Sequence, residues 1–156
     1  MTMADKCTLF CLRDDTDSII HLAHVILTNI DKLEYDTELE RLVVTSGSAS
    51  LKVSRKIQLE PGDSFSHLIL GMHNFVRRID TSAVASQRRI LAHIAASRSG
   101  IGVVAEPDFD AIATTYDLIF GLARELDGLI FTGSGLIDSE GRLLLDQDGT
   151  SELEND

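Results

Sequence analysis

Across residues 50–59 apolar and polar side chains alternate with a period of two. Leu51, Val53, Ile57 and Leu59 alternate with Ser50, Lys52, Ser54, Lys56 and Gln58, and Arg55 alone breaks the apolar set. A strand points successive side chains to opposite faces, so this alternation predicts a strand with one face on a core and the other in water. Gly47-Ser48, just upstream, predicts a tight turn back to a partner strand over residues 42–46.

Residues 7–12 hold the run Leu9, Phe10, Cys11 and Leu12 and predict a buried strand. Asp14 and Asp15 supply N-caps for a helix with Ile19, Leu22, Ala23, Ile26 and Ile30 at helical spacing, and the charged residues 31–41 read as a connection. Glu60-Pro61-Gly62-Asp63 ends the alternating strand and starts a helix striped by Phe65, Leu68, Ile69, Met72, Val76 and Ile79. A second helix begins near Ser82, with Val84, Ile90, Leu91, Ile94 and Ala95 inward, and ends at Ser99-Gly100. Residues 101–105 predict a short strand. Pro107, Asp108 and Asp110 start a last helix with Ala111, Thr115, Leu118, Ile119, Leu122 and Leu126 inward, closed by Gly128. Residues 129–134 and 136–138 read as one strand kinked at Gly133 or Gly135, followed by the turn Ser139-Glu140-Gly141 and a strand over 142–146. The expected order is β-α-β-β-α-α-β-α-β-β. Such an order predicts an α+β fold with a mixed, largely antiparallel sheet of about six strands and helices on one face. Residues 1–146 form one domain in this reading, and residues 147–156 form an acidic, frayed tail.

Charge narrows the function classes. The net charge is −11, which opposes general binding to nucleic acid or to anionic membranes. No apolar run is long enough to span a bilayer. Residues 1–12 have neither the basic start nor the long apolar middle of a secretory signal. Cys7 and Cys11 fall on one face of their strand, roughly 13 Å apart at ~3.3 Å per residue, too far for a bridge. Two unbridged cysteines and no export signal predict a cytoplasmic protein. Aromatics make up 5% of the chain, with no Trp, so no large aromatic recognition surface is expected.

Few residues carry a chemical signature. Asp17, His21 and His24 share a helix face, but that face lies opposite the apolar stripe and reads as solvated. Ser134 sits in Gly-Ser-Gly, without the spacing or the strand-to-helix context of a nucleophile elbow. Gly100-Ile101-Gly102 enters a strand, unlike a dinucleotide loop, and Asp146-Gln147-Asp148-Gly149 reads as an Asx turn instead of a calcium loop. No catalytic, metal or cofactor-binding set is therefore assigned. One asymmetry stands out. Arg77, Arg78, Arg88, Arg89 and Arg98 face only Asp80, so residues 73–98 carry +4 and the remainder −15. These arginines, with His73 and His93, are the candidate surface for a ligand or partner, unless they serve internal charge pairing.

The chain resembles a bacterial family of small proteins and N-terminal modules known only as a domain of unknown function. The resemblance rests on Cys7-Thr8-Leu9-Phe10, residues 51–59, Met72-His73-Asn74-Phe75-Val76 and residues 123–131. It continues through Leu136-Ile137-Asp138, the Gly141 turn and residues 143–146. It covers core and turn positions and implies the strand order but no catalytic residue or cofactor. A unit found both alone and fused implies an accessory or sensing role. Three functions follow as expectations: a non-catalytic binding module, a small enzyme acting on an acidic or phosphorylated molecule, or an immunity or regulator protein for a basic partner. A homodimer through an exposed edge of the last hairpin is also expected.

Overall fold

The computed structural model describes residues 5–153. It is α+β, with four helices and an eight-stranded sheet. The strands are β1 (Lys6–Cys11), β2 (Lys32–Asp36), β3 (Arg41–Ser46), β4 (Ala49–Lys56), β5 (Ser99–Glu106), β6 (Gly128–Phe131), β7 (Gly135–Ile137) and β8 (Leu143–Asp146). The helices are α1 (Thr16–Ile26), α2 (Ser64–Arg77), α3 (Val84–Ala96) and α4 (Thr115–Glu125). The sheet runs β2-β3-β4-β5-β1-β6-β7-β8, and every neighbouring pair is antiparallel.

The sheet corrects the expected six strands and their order at two places. Residues 32–36 form β2, because Leu33 and Tyr35 half-bury between exposed Lys32, Glu34 and Asp36. Two apolar residues in a charged stretch read as a linker, yet charges on the wet face suit an edge strand. The expected kinked strand is two strands. Gly133, at φ +105, lies in the turn that folds β7 back onto β6. The helices also occupy both faces of the sheet. Cys7, Leu9 and Cys11 of β1 point to a core built with α1 and α4, through Ile19, Ala23, Leu118 and Leu122. Phe10 points the other way, into a second core with Met72 and Val76 of α2, Ile90 and Ile94 of α3, and Leu136 and Leu145 of β7 and β8. Central β1 is thus buried on both sides, which explains its unbroken apolar run.

Local chemistry sets the ends of the elements. The Asp63 carboxylate caps α2 through the Ser66 N–H at 2.9 Å, and also accepts the Leu59 N–H at 2.7 Å and the Glu60 N–H at 3.2 Å. That capture bends the chain away from the sheet. β4 therefore ends at Lys56, and Leu59, expected to face inward, is 82% exposed. Arg55, which breaks the alternation, points to the α1 side and binds the carboxylates of Asp14 and Glu40, with its side chain 10% exposed. The last helix starts later than expected. Asp108 caps a short 3-10 turn over Phe109–Ala111, buried Phe109 and Ile112 anchor the connection, and α4 begins at Thr115. Both cysteines are buried and free, and burial pushes each thiol up to about 12. Among the described residues, no helix is long and apolar enough to cross a membrane.

After β8 the Asp146 carboxylate accepts the N–H groups of Asp148 and Thr150, each at 2.9 Å, forming the expected Asx turn. Of the tail expected after Asp146, residues 147–153 return along the sheet end. Gln147 N–H donates to the Ser134 carbonyl at 2.8 Å and Glu152 N–H to the Leu143 carbonyl at 2.9 Å. The Gly149 carbonyl accepts the Thr81 hydroxyl at 2.7 Å, tying this return to the α2–α3 connection.

Candidate functional site

Ser86, Arg89, Ile90 and His93 recur at three- and four-residue steps on α3, so they share one flank of the helix. That flank faces the β7–β8 hairpin. Asp138, Arg142 and Leu144 of the hairpin, Leu129 of β6 and Leu153 of the returning chain complete a cleft of about 250 Å3. The walls are largely aliphatic, and the polar groups are two arginines, one histidine, one carboxylate and one hydroxyl.

Each polar group has a defined setting. The Asp138 carboxylate shapes the hairpin turn: it accepts the N–H groups of Glu140 and Arg142 at 2.9 Å and the Arg142 Nε at 2.8 Å. Arg142 is held in place by this pairing, while its side chain remains 61% exposed. His93 Nε2 lies 2.8 Å from the Phe10 carbonyl oxygen. A carbonyl only accepts, so Nε2 carries the proton. Burial lowers the His93 pKa below its ordinary 6.5, against the opposing pull of the Phe10 carbonyl and of Asp127. The ring is therefore neutral at pH 7 and tied to the central strand. Ser86 is buried at the base of the cleft. The one N–H of the neutral His93 ring is committed to the Phe10 carbonyl, so the groups that can hold an anion by charge and hydrogen bonds are the guanidinium groups of Arg89 and of Arg142, the latter shared with Asp138.

The seven residues singled out from the sequence do not form one surface. Arg89 and His93 meet in this cleft. Arg78 lines a wider depression of about 680 Å3 with Gly71, Asn74, Phe75, Ile79, Asp80 and Gln147. His73 lies in a groove of about 320 Å3 between α2 and α3, beside Phe65, Ile69 and Leu70. Arg77 reaches Asn74 Oδ1 at 3.2 Å, and Arg88 and Arg98 are exposed. The depression of about 680 Å3 thus holds one cation and one carboxylate, whereas the smaller cleft joins two cations from separate elements, Arg89 of α3 and Arg142 of the hairpin, with one carboxylate, Asp138. For that reason the smaller cleft is the candidate site.

Arg142, Asp138 and Leu153 were not singled out from the sequence. Their segment read as a turn and a tail, and only the sheet order carries that turn to α3. Asp17, His21 and His24 stay on the exposed face of α1, and Ser134 is exposed in the β6–β7 turn. Among the described residues, no three His, Cys, Asp or Glu side chains converge as a metal cage. Comparison of the chain with family models, curated proteins and solved structures found no match.

Proposed function

We propose that this chain is a non-catalytic cytoplasmic binding module that holds a small anion, a carboxylate- or phosphate-bearing molecule, in the cleft between α3 and the β7–β8 hairpin. The observation that carries the reading is that Arg89 of α3 and Arg142 of the hairpin line one cleft together with the aliphatic Ile90, Leu129 and Leu144. Guanidinium groups match carboxylate and phosphate geometry, and aliphatic walls strengthen the interaction by lowering the local dielectric.

A second reading, an enzyme acting on an acidic or phosphorylated molecule, draws on the same histidine and arginines. It is the weaker one, because His93 commits its Nε2–H to a main-chain carbonyl. Calorimetric titration with orthophosphate, pyrophosphate and citrate tests both readings. At least one anion is expected to bind one-to-one. Arg89→Ala and Arg142→Ala should each weaken it about tenfold or more, the scale of one charge-assisted hydrogen bond. Equal affinity in wild type and both variants contradicts the binding reading, and turnover of a bound phosphate ester favours the enzyme.

A further inference from the structure

The chain contains only four lysines, Lys6, Lys32, Lys52 and Lys56. The strand register puts all four on one face of the sheet. Lys6 of β1 lies opposite Val104 of β5, Val104 opposite Lys52 of β4, Lys52 opposite Val43 of β3, and Val43 opposite Glu34 of β2. Paired residues of a ladder point to the same side, so one row across five strands reads Lys, Val, Lys, Val, Glu. The next row is Thr8, Gly102, Ser54, Arg41 and Asp36. Lys56 and Lys32 follow by the two-residue period.

This face is the one opposite α1 and α4. Among the described residues, the α2–α3 layer covers it toward Phe10, Gly100 at the start of β5, β7 and β8, and leaves exposed the half formed by β2, β3, β4 and the outer end of β5. Lys6 and Lys52 are exposed, and Val104 between them is 45% exposed. The acids on the face are Glu34, Asp36 and Glu106, at its margins, and Glu34 already pairs with Lys32 at 3.0 Å. Among the described residues no ion pair engages Lys6, Lys52 or Lys56. Acidic residues outnumber Lys and Arg by 25 to 14 in this chain, so a face used only for solvation would carry net negative charge. This one carries five cations, with Arg41, against three acids.

We propose that the open face docks an acidic amphipathic helix of a partner protein. Strands lie ~4.8 Å apart, so Lys6 and Lys52 stand about 10 Å apart with Val104 midway. On a helix, residues seven apart share a face at about 10.5 Å, and the residue four along lies between them. Carboxylates at positions i and i+7 with an apolar side chain at i+4 therefore match the Lys–Val–Lys row. A nucleic acid fits less well: the exposed part of the face offers no aromatic ring for stacking, and its acidic margin repels a continuous phosphate chain. The surface lies on different elements from the anion cleft and stands or falls independently of it.

Lysine footprinting reads this face alone, because no lysine lies elsewhere. The protein is acylated with an N-hydroxysuccinimide ester, with and without a helical peptide carrying Glu at i and i+7 and Leu at i+4, and the sites are quantified by mass spectrometry. The peptide is expected to slow labelling of Lys6 and Lys52 several-fold and of Lys32, already paired at the edge, least. Lys6→Gln with Lys52→Gln should weaken peptide binding roughly tenfold, the combined scale of two exposed charge pairs, while Arg124→Gln leaves it unchanged. Unchanged labelling at millimolar peptide, or equal affinity in the double variant, overturns the proposal. So does protection by oligo-dT without protection by the peptide.

Discussion

His93 joins stability to the site through one hydrogen bond. Burial holds its folded pKa below 6.5, so the unfolded chain takes up the proton first as pH falls. Stability should decline below about pH 6.5 until the folded-state ring also protonates, and be flat for this group above that window. His93→Gln, which keeps a donor for the Phe10 carbonyl, should remove this part of the slope in denaturation series across pH. NMR titration should place the His93 ring below 6.5; a value above 6.5 would contradict the setting described. Lower in pH the helix caps act. Hydrogen bonds from the Ser18 hydroxyl and N–H hold Asp15 below the ordinary 3.8, and backbone N–H groups, Ser66 first, hold Asp63 below it. What these carboxylates contribute is present above 3.8 and lost as pH falls below it.

At the scale of elements, the returning chain 147–153 connects the fold to the cleft. Gly149 has φ +84, and a Cβ there would stand 2.2 Å from the Asp80 carbonyl oxygen. Gly149→Ala should therefore cost about 1–3 kcal/mol in urea denaturation, through left-handed strain and a backbone clash. It should also loosen Leu153 from the cleft wall, so anion binding weakens even where the protein remains folded. Other elements show what the sequence could and could not convey. The alternation over residues 50–59 located β4, and the helical stripes located α1, α2 and α3, because each buries one face against a core. β2 was missed because an edge strand needs only two half-buried residues, Leu33 and Tyr35. The end of β4 was misplaced because Asp63, four residues beyond Leu59, captures its N–H in preference to the ladder.

For the molecule as a whole, the acidic balance conceals two cationic surfaces on different elements. One is the cleft, half of which was legible: Arg89 and His93 stood out in a positive segment, but Arg142 joins them only because the sheet order brings β8 against α3. The other is the lysine face. Lys6 and Lys52 are 46 residues apart in sequence and meet only through the β1–β5–β4 register, which no local pattern specifies. The anion cleft is the central claim, and NMR titration of the whole chain with orthophosphate tests it most directly. Saturable shifts are predicted at Ser86, Arg89, His93, Arg142 and Leu153, with the His93 pKa rising as the bound anion favours the imidazolium. Shifts that never saturate, or that persist unchanged when Arg89→Ala and Arg142→Ala are combined, would contradict it.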